Sequence, residues 1–460
     1  MISRRGQMGN AGKGFNAGRP LECRSQMTVF GSSGIRGVVG RDFTADLALR
    51  IGLAVGSEHP RMVVGNDPRT SGDMVRSALV AGATAAGAQV ALAGMVPTPT
   101  LARATKGFDC GLMVTASHNP AEYNGVKMWN PDGSAFDTEQ MQRIEDRLDD
   151  SDFDRKDWMG VGSTYPLEGA VERHIEAVLA SVEGSRSKVV LDCGCGAASL
   201  VSPYVLRGMG CDLVTINCQP DGHFPGRGPE PTEDELQDLK NMVVSRGAHM
   251  GIAHDGDGDR MVAVDRRGRM VDGDKLLALF AYIAQAGDVV APVDASMVLD
   301  DIVKGRVIRT RVGDVYVAEA LKKHGAGFGG EPSGTFIFPN QTYCPDGILA
   351  AAILVSMVGD GDLAEMVDAL PSYPVARRSY PFPPEKRREV ESRLLESMTS
   401  LDCDELTQVD GFRAQFADCW ILLRLSGTEP KLRMAAEARS RDELGRMIAL
   451  AEDIARSCIR

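Results

Sequence analysis

Apolar positions in this chain follow two rhythms that alternate along its first three quarters. Short unbroken apolar runs at 61–65, 89–93 and 110–115 read as buried strands, and the residues at 47–54 and 74–86 read as helices. Strands alternating with helices imply an α/β layer built from crossover units. A second block repeats the rhythm, with a helix over 171–181, strands over 188–192 and 212–217, a helix over 233–246 and a strand over 249–253. A third begins near Arg267, with helices over 275–286, 315–323 and 347–358 and a strand over 289–292. The acidic, aperiodic stretch 149–157 reads as a linker, and the five prolines of 371–384 read as a semi-rigid connector. Beyond it, helices over 385–399 and 441–459 enclose strands near 411–414, 419–425 and 432–437, a small α+β unit. The expected organisation is an extension over 1–26 and domains over 27–162, 163–266, 267–372 and 373–460. No short tandem repeat is visible, but the three α/β blocks have the size of diverged copies of one unit.

A chain of 460 residues is too long for a single core, which agrees with three or four domains. A net charge of −12 argues against nucleic acid as a partner, because its recognition calls for a basic face. It leaves room for an anionic small molecule held by a local arginine cluster. No apolar run approaches the ~20 residues that span a bilayer. Ten cysteines without a Cys-x-x-Cys pair point to reduced thiols in a cytoplasmic protein. Residues 1–26 are rich in Gly and Arg, with Glu22 the one acid, and lack the apolar segment of a secretory signal. They read as a disordered tail or as an over-extended gene start with Met27 the true beginning; a targeting role is the alternative.

Four polar strings carry the candidate chemistry. The first is Thr115-Ala116-Ser117-His118-Asn119-Pro120, a turn at the carboxyl end of an apolar strand, where open α/β sheets place ligands. Ser117 suits a phosphoryl carrier; the bland alternative is a serine that merely satisfies turn amides. His118 is the obvious base for a protease-like reading, but neighbours in extended chain point to opposite sides, and no Gly-x-Ser-x-Gly elbow is present. The second string places Asp255, Asp257 and Asp259 at alternate positions directly after a strand, separated by Gly256 and Gly258. Positive φ at those glycines would curl the loop and bring the carboxylates together. Such a cluster suits Mg²⁺, Ca²⁺ or Mn²⁺ rather than zinc. An EF-hand is excluded, because Arg260 and Arg266 stand where Gly and Glu are needed. Arg260 is placed to face a transferring phosphoryl.

The third string, Gly330-Glu331-Pro332-Ser333-Gly334, offers a carboxylate and a hydroxyl for vicinal sugar hydroxyls. The fourth gathers Arg424, Ser426, Gly427, Thr428 and Arg433, the donors a phosphate dianion requires. Lys127 suits charge neutralisation, or proton acceptance if its pKa is depressed, and Arg36 is a second candidate cation. The turn Gly194-Cys195-Gly196 imitates a dinucleotide fingerprint, but Ser199 replaces its third glycine and Asn217 stands where an acid is needed. It reads as a plain strand–helix turn.

In this order the four strings resemble the α-D-phosphohexomutase family, from about Met27 to the C-terminus. Supporting strings are 30–37, 65–71, Pro97-Thr98-Pro99 and 221–231. The resemblance implies three related mixed α/β domains and a C-terminal TATA-binding-protein-like domain around one cleft. It implies a phosphorylated Ser117, one Mg²⁺ on Asp255, Asp257, Asp259 and the phosphoserine, and a hexose bisphosphate as activator and intermediate. It also implies a sugar loop at Glu331 and Ser333, a phosphate loop at Arg424, Ser426, Gly427 and Thr428, and a monomer or homodimer acting on a hexose phosphate. Thr335 stands where many relatives have a histidine, so a proton shuttle there does not transfer, and Lys127 is the remaining candidate. The string 330–335 looks like that of archaeal-type phosphoglucosamine mutases; phosphoglucomutase or phosphomannomutase is the alternative. A Mg²⁺-dependent phosphatase would need neither a sugar loop nor a distant phosphate loop, and a phosphosugar sensor would be expected to have lost Ser117 or an aspartate.

Overall fold

The computed structural model describes residues 30–31, 34–285, 287–359, 361–426 and 429–460. The extension 1–26 and the residues Gly427 and Thr428 lie outside the described residues.

Three mixed sheets and one antiparallel sheet follow one another along the chain. The first three share one plan. In the second domain, Lys188–Asp192 lies between Asp212–Ile216 and Met250–His254, parallel to both, and Met261–Asp265 returns antiparallel to Met250–His254. In the third, Val289–Pro292, Val307–Thr310, Phe328–Glu331 and Thr335–Ile337 repeat that order and those directions. The first domain repeats it again with Arg61–Asn66, Gln89–Met95, Cys110–Val114 and Tyr123–Trp129, flanked by Gly34–Val38 and Thr164–Pro166. The reading of three diverged copies therefore holds at the level of strand order. Each copy ends in a hairpin whose tip carries one of the polar strings.

The strands near the centre of these sheets are buried on both faces, which is why they read as unbroken apolar runs. The second and third domains share one apolar core, running from Val189 and Ile252 through Met261 to Phe280, Phe328 and Leu349. Helix Gly347–Val358 lies inside that core, and Asp346 caps it by accepting from the Leu349 N–H at 2.9 Å. The fourth domain has a core of its own and touches the third through a small patch that includes Val293, Met297, Trp420 and Leu422. Among the described residues no helix is long and apolar enough to cross a membrane.

Several expected elements differ. The proline-rich segment is not a plain connector: Val375–Pro381 is an edge strand, paired antiparallel with Lys431–Ala438. An edge position leaves one row of N–H groups unpaired, and so tolerates the prolines at its ends. The stretch 149–157 is part of the first domain: helix Thr138–Asp150 runs into it, and the Lys156 N–H returns to the Ala85 carbonyl at 3.0 Å. The helices expected over 233–246 and 385–399 each begin with a 3₁₀ turn, so the α-helices are Gln237–Arg246 and Arg387–Thr399.

Candidate active site

The serine string forms the hairpin tip between Cys110–Val114 and Tyr123–Trp129. The Thr115 hydroxyl donates to Asp67 Oδ2 at 2.6 Å and accepts the Ser117 N–H at 2.8 Å, which folds the chain back on itself. Ser117 has φ +51°, a left-handed conformation uncommon outside glycine. The expectation that His118 faces away from its neighbour fails for that reason: the chain is not extended there, and His118 Nδ1 lies 3.4 Å from Ser117 Oγ. His118 is still a poor base. Burial, reinforced by Arg260, Arg36 and Lys127, pushes its pKa down to about 3.

Ser117 Oγ is buried and donates to Asp255 Oδ2, across the boundary between the first two domains, at 2.9 Å. Asp255, Asp257 and Asp259 occupy the equivalent hairpin tip of the second domain, and each offers an oxygen within 4.8 Å of the others'. Gly258 has φ +76° as the curl requires. Gly256 does not take positive φ; its lack of a side chain matters because a Cβ there would stand 2.6 Å from the Ser117 carbonyl oxygen. The Thr98 hydroxyl, from the first domain, donates to Asp257 Oδ2 at 2.6 Å.

Lys127 reaches into the same cup, 2.8 Å from Asp257 Oδ2 and 2.5 Å from Asp259 Oδ2. Burial pulls its pKa down, but Asp257 and Asp259 more than reverse this, so Lys127 is a held ammonium rather than the depressed amine a proton acceptor requires. Asp257 Oδ1 and Asp259 Oδ1 remain buried without a hydrogen-bond partner. Orphaned carboxylate oxygens in a buried acidic cluster are the donor set of a hard divalent cation, and the residues fit Mg²⁺.

Beside the cup lies a cavity of about 380 Å³ lined by residues of all four domains. Arg36 and His118 line it from the first domain, Arg260 from the second, Glu331 and Ser333 from the third and Arg377 from the fourth. Arg36 donates to Asn119 Oδ1 at 3.0 Å, and the Arg260 N–H donates to Asp255 Oδ1 at 3.2 Å. Glu331 accepts from the Gly313 N–H at 2.7 Å, while Ser333 Oγ lies 3.4 Å from Glu331 Oε2 and 3.2 Å from Thr335 Oγ1. Burial and Asp314 push the Glu331 carboxyl up to about 7, against the pull of Arg260.

Arg424 and Arg433 line a second cavity of about 350 Å³, which shares Asp294 and Arg377 with the first. They are cross-strand partners, an arrangement of like charges that an anion between them would relieve. Asp410 pairs with Arg424 at 2.9 Å and Glu429 with Arg433 at 3.5 Å. Ser426 is buried and lines neither cavity; its carbonyl accepts from Arg387.

The sequence reading assigned no role to Asp67, Arg69, Thr98, Asp294, Asp314 or Arg377. Asp67, Arg69 and Thr98 stand in strings it used only as supporting signatures. The last three carry no local signal, because domain packing brings them to the cavity.

A buried hydroxyl against a carboxylate cup, beside an arginine-lined cavity at the meeting point of three related α/β domains, is the equipment of a phosphoryl-transfer enzyme. Four segments match the phosphoglucomutase/phosphomannomutase family: its alpha/beta/alpha domains I, II and III over 27–155, 171–268 and 272–373, and its C-terminal domain over 384–455. The chain belongs to that family. It is 48% identical over 438 residues to a probable phosphoglucosamine mutase of Methanosarcina acetivorans, covering 94% of this chain and 100% of the relative. It is 44% identical over 445 residues to another from Methanopyrus kandleri, covering 94% and 98%. Among solved structures, a phosphoglucomutase/phosphomannomutase family protein from Burkholderia thailandensis superposes with a TM-score of 0.84 at 30% identity, covering 93% of this chain and 97% of that one.

Proposed function

We propose that this chain interconverts glucosamine 6-phosphate and glucosamine 1-phosphate, with Ser117 as the phosphoryl carrier. The observation that carries this reading is the 2.9 Å contact of Ser117 Oγ with Asp255, inside a cup where Asp257 Oδ1 and Asp259 Oδ1 lack partners. The substrate follows the names of the similar archaeal proteins.

In the resting enzyme Ser117 carries a phosphoryl group. A hexose monophosphate enters the shared cavity with its own phosphate toward Arg424 and Arg433 and its sugar hydroxyls toward Glu331 and Ser333. The free hydroxyl attacks phosphorus, the P–Oγ bond of Ser117 breaks and the hydroxyl's proton ends on Ser117 Oγ, so the products are a sugar bisphosphate and a free serine hydroxyl. That intermediate turns end for end, its other phosphate returns to Ser117 Oγ, and the isomer leaves. Asp255, Asp257 and Asp259 would hold the divalent cation, which supplies Lewis-acid stabilisation of the phosphoryl oxygens. Lys127 and Arg260 add fixed positive charge, and Arg36 joins them from the cavity wall. His118, neutral at ordinary pH, serves as a hydrogen-bonding wall rather than a base. Thr335 leaves the sugar loop without a histidine, so proton transfer does not run through that position.

Turnover of glucosamine 6-phosphate, glucose 1-phosphate and mannose 1-phosphate, run in parallel with free phosphate monitored, tests the reading. Isomerisation should dominate over phosphate release, with glucosamine phosphate the best substrate. A preference for glucose or mannose phosphate would move the assignment to phosphoglucomutase or phosphomannomutase. Ser117→Ala should abolish turnover while Mg²⁺ still binds, and undiminished turnover would reject the phosphoserine.

A further inference from the structure

We infer that Arg69 is a positioning residue that sets the pose of the Ser117 turn, and that Phe224 of the second domain holds it in place. The inference rests on Ser117 as the phosphoryl carrier. The Arg69 side chain is wholly buried, and each of its five N–H bonds has an acceptor. Nε donates to Asp67 Oδ2 at 3.1 Å. Nη1 donates to the carbonyls of Pro120 at 2.6 Å and Tyr123 at 2.9 Å. Nη2 donates to those of Ser117 at 2.8 Å and Asn119 at 2.6 Å. Four carbonyls of one turn thus converge on a single planar cation from a distant part of the sequence.

That convergence accounts for the turn's conformation. Left-handed backbone at a serine persists only where its surroundings over-determine it, and the guanidinium fork supplies that constraint. With its carbonyls drawn inward, the turn presents Ser117 Oγ to Asp255. Arg69 is itself covered from the second domain: the Phe224 ring lies 5.3 Å from its Cζ, and a Cβ at Gly222 would meet the Pro68 carbonyl at 2.3 Å. The pose of the phosphoryl carrier is therefore tied to the docking of the domain that brings the carboxylates.

The full-length enzyme with Arg69→Lys tests this, because an ammonium cannot span the five acceptors. The expected result is a kcat lower by roughly 100-fold with KM and Mg²⁺ affinity unchanged. Phosphorylation of Ser117 by glucose 1,6-bisphosphate, followed by mass spectrometry, should slow in parallel. Guanidinium added to Arg69→Ala should restore part of the lost kcat. Phe224→Leu, which stays apolar but removes the ring face, should lower kcat by about tenfold with KM again unchanged, and it decides the matter if neither Arg69 variant folds. A folded Arg69→Lys with kcat within about twofold of wild type and normal Ser117 phosphorylation would overturn the inference; so, where neither Arg69 variant folds, would a Phe224→Leu enzyme indistinguishable from wild type. Wild-type enzyme that never acquires phosphate on Ser117 would instead sink the proposed function, a separate and recognisable outcome.

Discussion

Adding one methyl group at Gly256 should separate the two loops on which the chemistry depends. A Cβ there would stand 2.6 Å from the Ser117 carbonyl oxygen, 3.2 Å from Pro229 Cβ and 3.6 Å from Phe224 Cε1. An ordinary C···O approach is about 3.3 Å, so one loop must retreat by roughly 0.7 Å. The Ser117 carbonyl cannot swing aside, because it accepts from Arg69 Nη2 at 2.8 Å. The displacement therefore falls on the contact between Ser117 Oγ and Asp255. A misplacement approaching 1 Å costs on the order of 100-fold in rate, so Gly256→Ala should lose between about 10- and 100-fold in kcat. Backbone strain adds nothing, because Gly256 lies outside the left-handed region. Gly258→Ala serves as the contrast: its φ of +76° brings strain, about 1–2 kcal/mol, yet the atoms nearest its Cβ all belong to Ala198, the Cβ at 3.1 Å. It should lower thermal stability more than rate. A coupled mutase assay and thermal unfolding of both variants read the two effects apart. Wild-type kcat in a folded Gly256→Ala enzyme would refute the reasoning, because the serine turn and the acidic loop would then not need their close approach.

Four further outcomes follow from the same structure. With the Glu331 carboxyl pushed up to about 7, wild-type kcat/KM should fall toward about tenfold per pH unit below that value, a limb absent from Glu331→Gln; identical profiles would remove Glu331 from sugar binding. The native carboxyl also holds its proton more tightly than the unfolded one, so its contribution to stability declines as pH rises from about 4.5 through about 7, and Glu331→Gln should flatten that decline in a Tm–pH series. Thr98→Val deletes the 2.6 Å hydrogen bond to Asp257 and should weaken Mg²⁺ binding roughly tenfold by calorimetric titration, while unchanged affinity would show that Asp257 keeps its orientation without Thr98. Arg413 is buried between the third and fourth domains with Nε and Nη2 unpartnered, and burial, with Arg309 beside it, pushes its pKa down to about 9. The Trp420 ring at 4.9 Å and the charges of Asp300, Glu437 and Glu405 favour it without offsetting its burial, so Arg413→Met should raise stability by about 1 kcal/mol, and a lower Tm would contradict the account.

The chemistry was more legible in the sequence than the pairing of strands. Ser117, the three aspartates, Glu331 and Arg424 stood in strings that point together to a phosphosugar site, although none decides it alone. Helices Gly347–Val358 and Arg441–Ile459 and strand Cys419–Leu425 read with the bounds they have in the fold, because each is long or continuously apolar. Strands Gly34–Val38, Tyr123–Trp129 and Glu405–Thr407 escaped the reading, since each is broken by a charged or polar residue and gains its order from a distant partner. The extended-chain argument about His118 failed on one torsion, the φ of Ser117, which long-range bonds to Arg69 stabilise. Arg69 stood in the supporting string 65–71, but its role did not show there, because four of its five acceptors lie about fifty residues further along.

The shared strand order explains why strings so far apart in sequence meet in space. In each α/β copy the third strand runs parallel to the first and ends at a hairpin, and the fourth strand returns antiparallel. The hairpin tip is thus the one place in the unit where chain leaves the carboxyl end of a buried strand and comes straight back. Its turn is free to vary in chemistry while the strands on either side keep their packing. One copy places a serine there, the next three aspartates, the third a glutamate and a serine. What has persisted between the copies is backbone direction rather than side-chain identity, so no repeat is visible in the residues. The C-terminal domain has a different sheet and brings Arg377, Arg424 and Arg433 to the opening the three tips leave. Among the described residues its contact with the third domain is a small apolar patch and a set of polar bonds, such as the 2.7 Å bond from the Met297 N–H to Glu437 and the ion pair of Arg439 with Asp301. A domain joined that lightly is the one whose displacement would open the cavity at least cost, since the second and third domains cannot separate without exposing their common core.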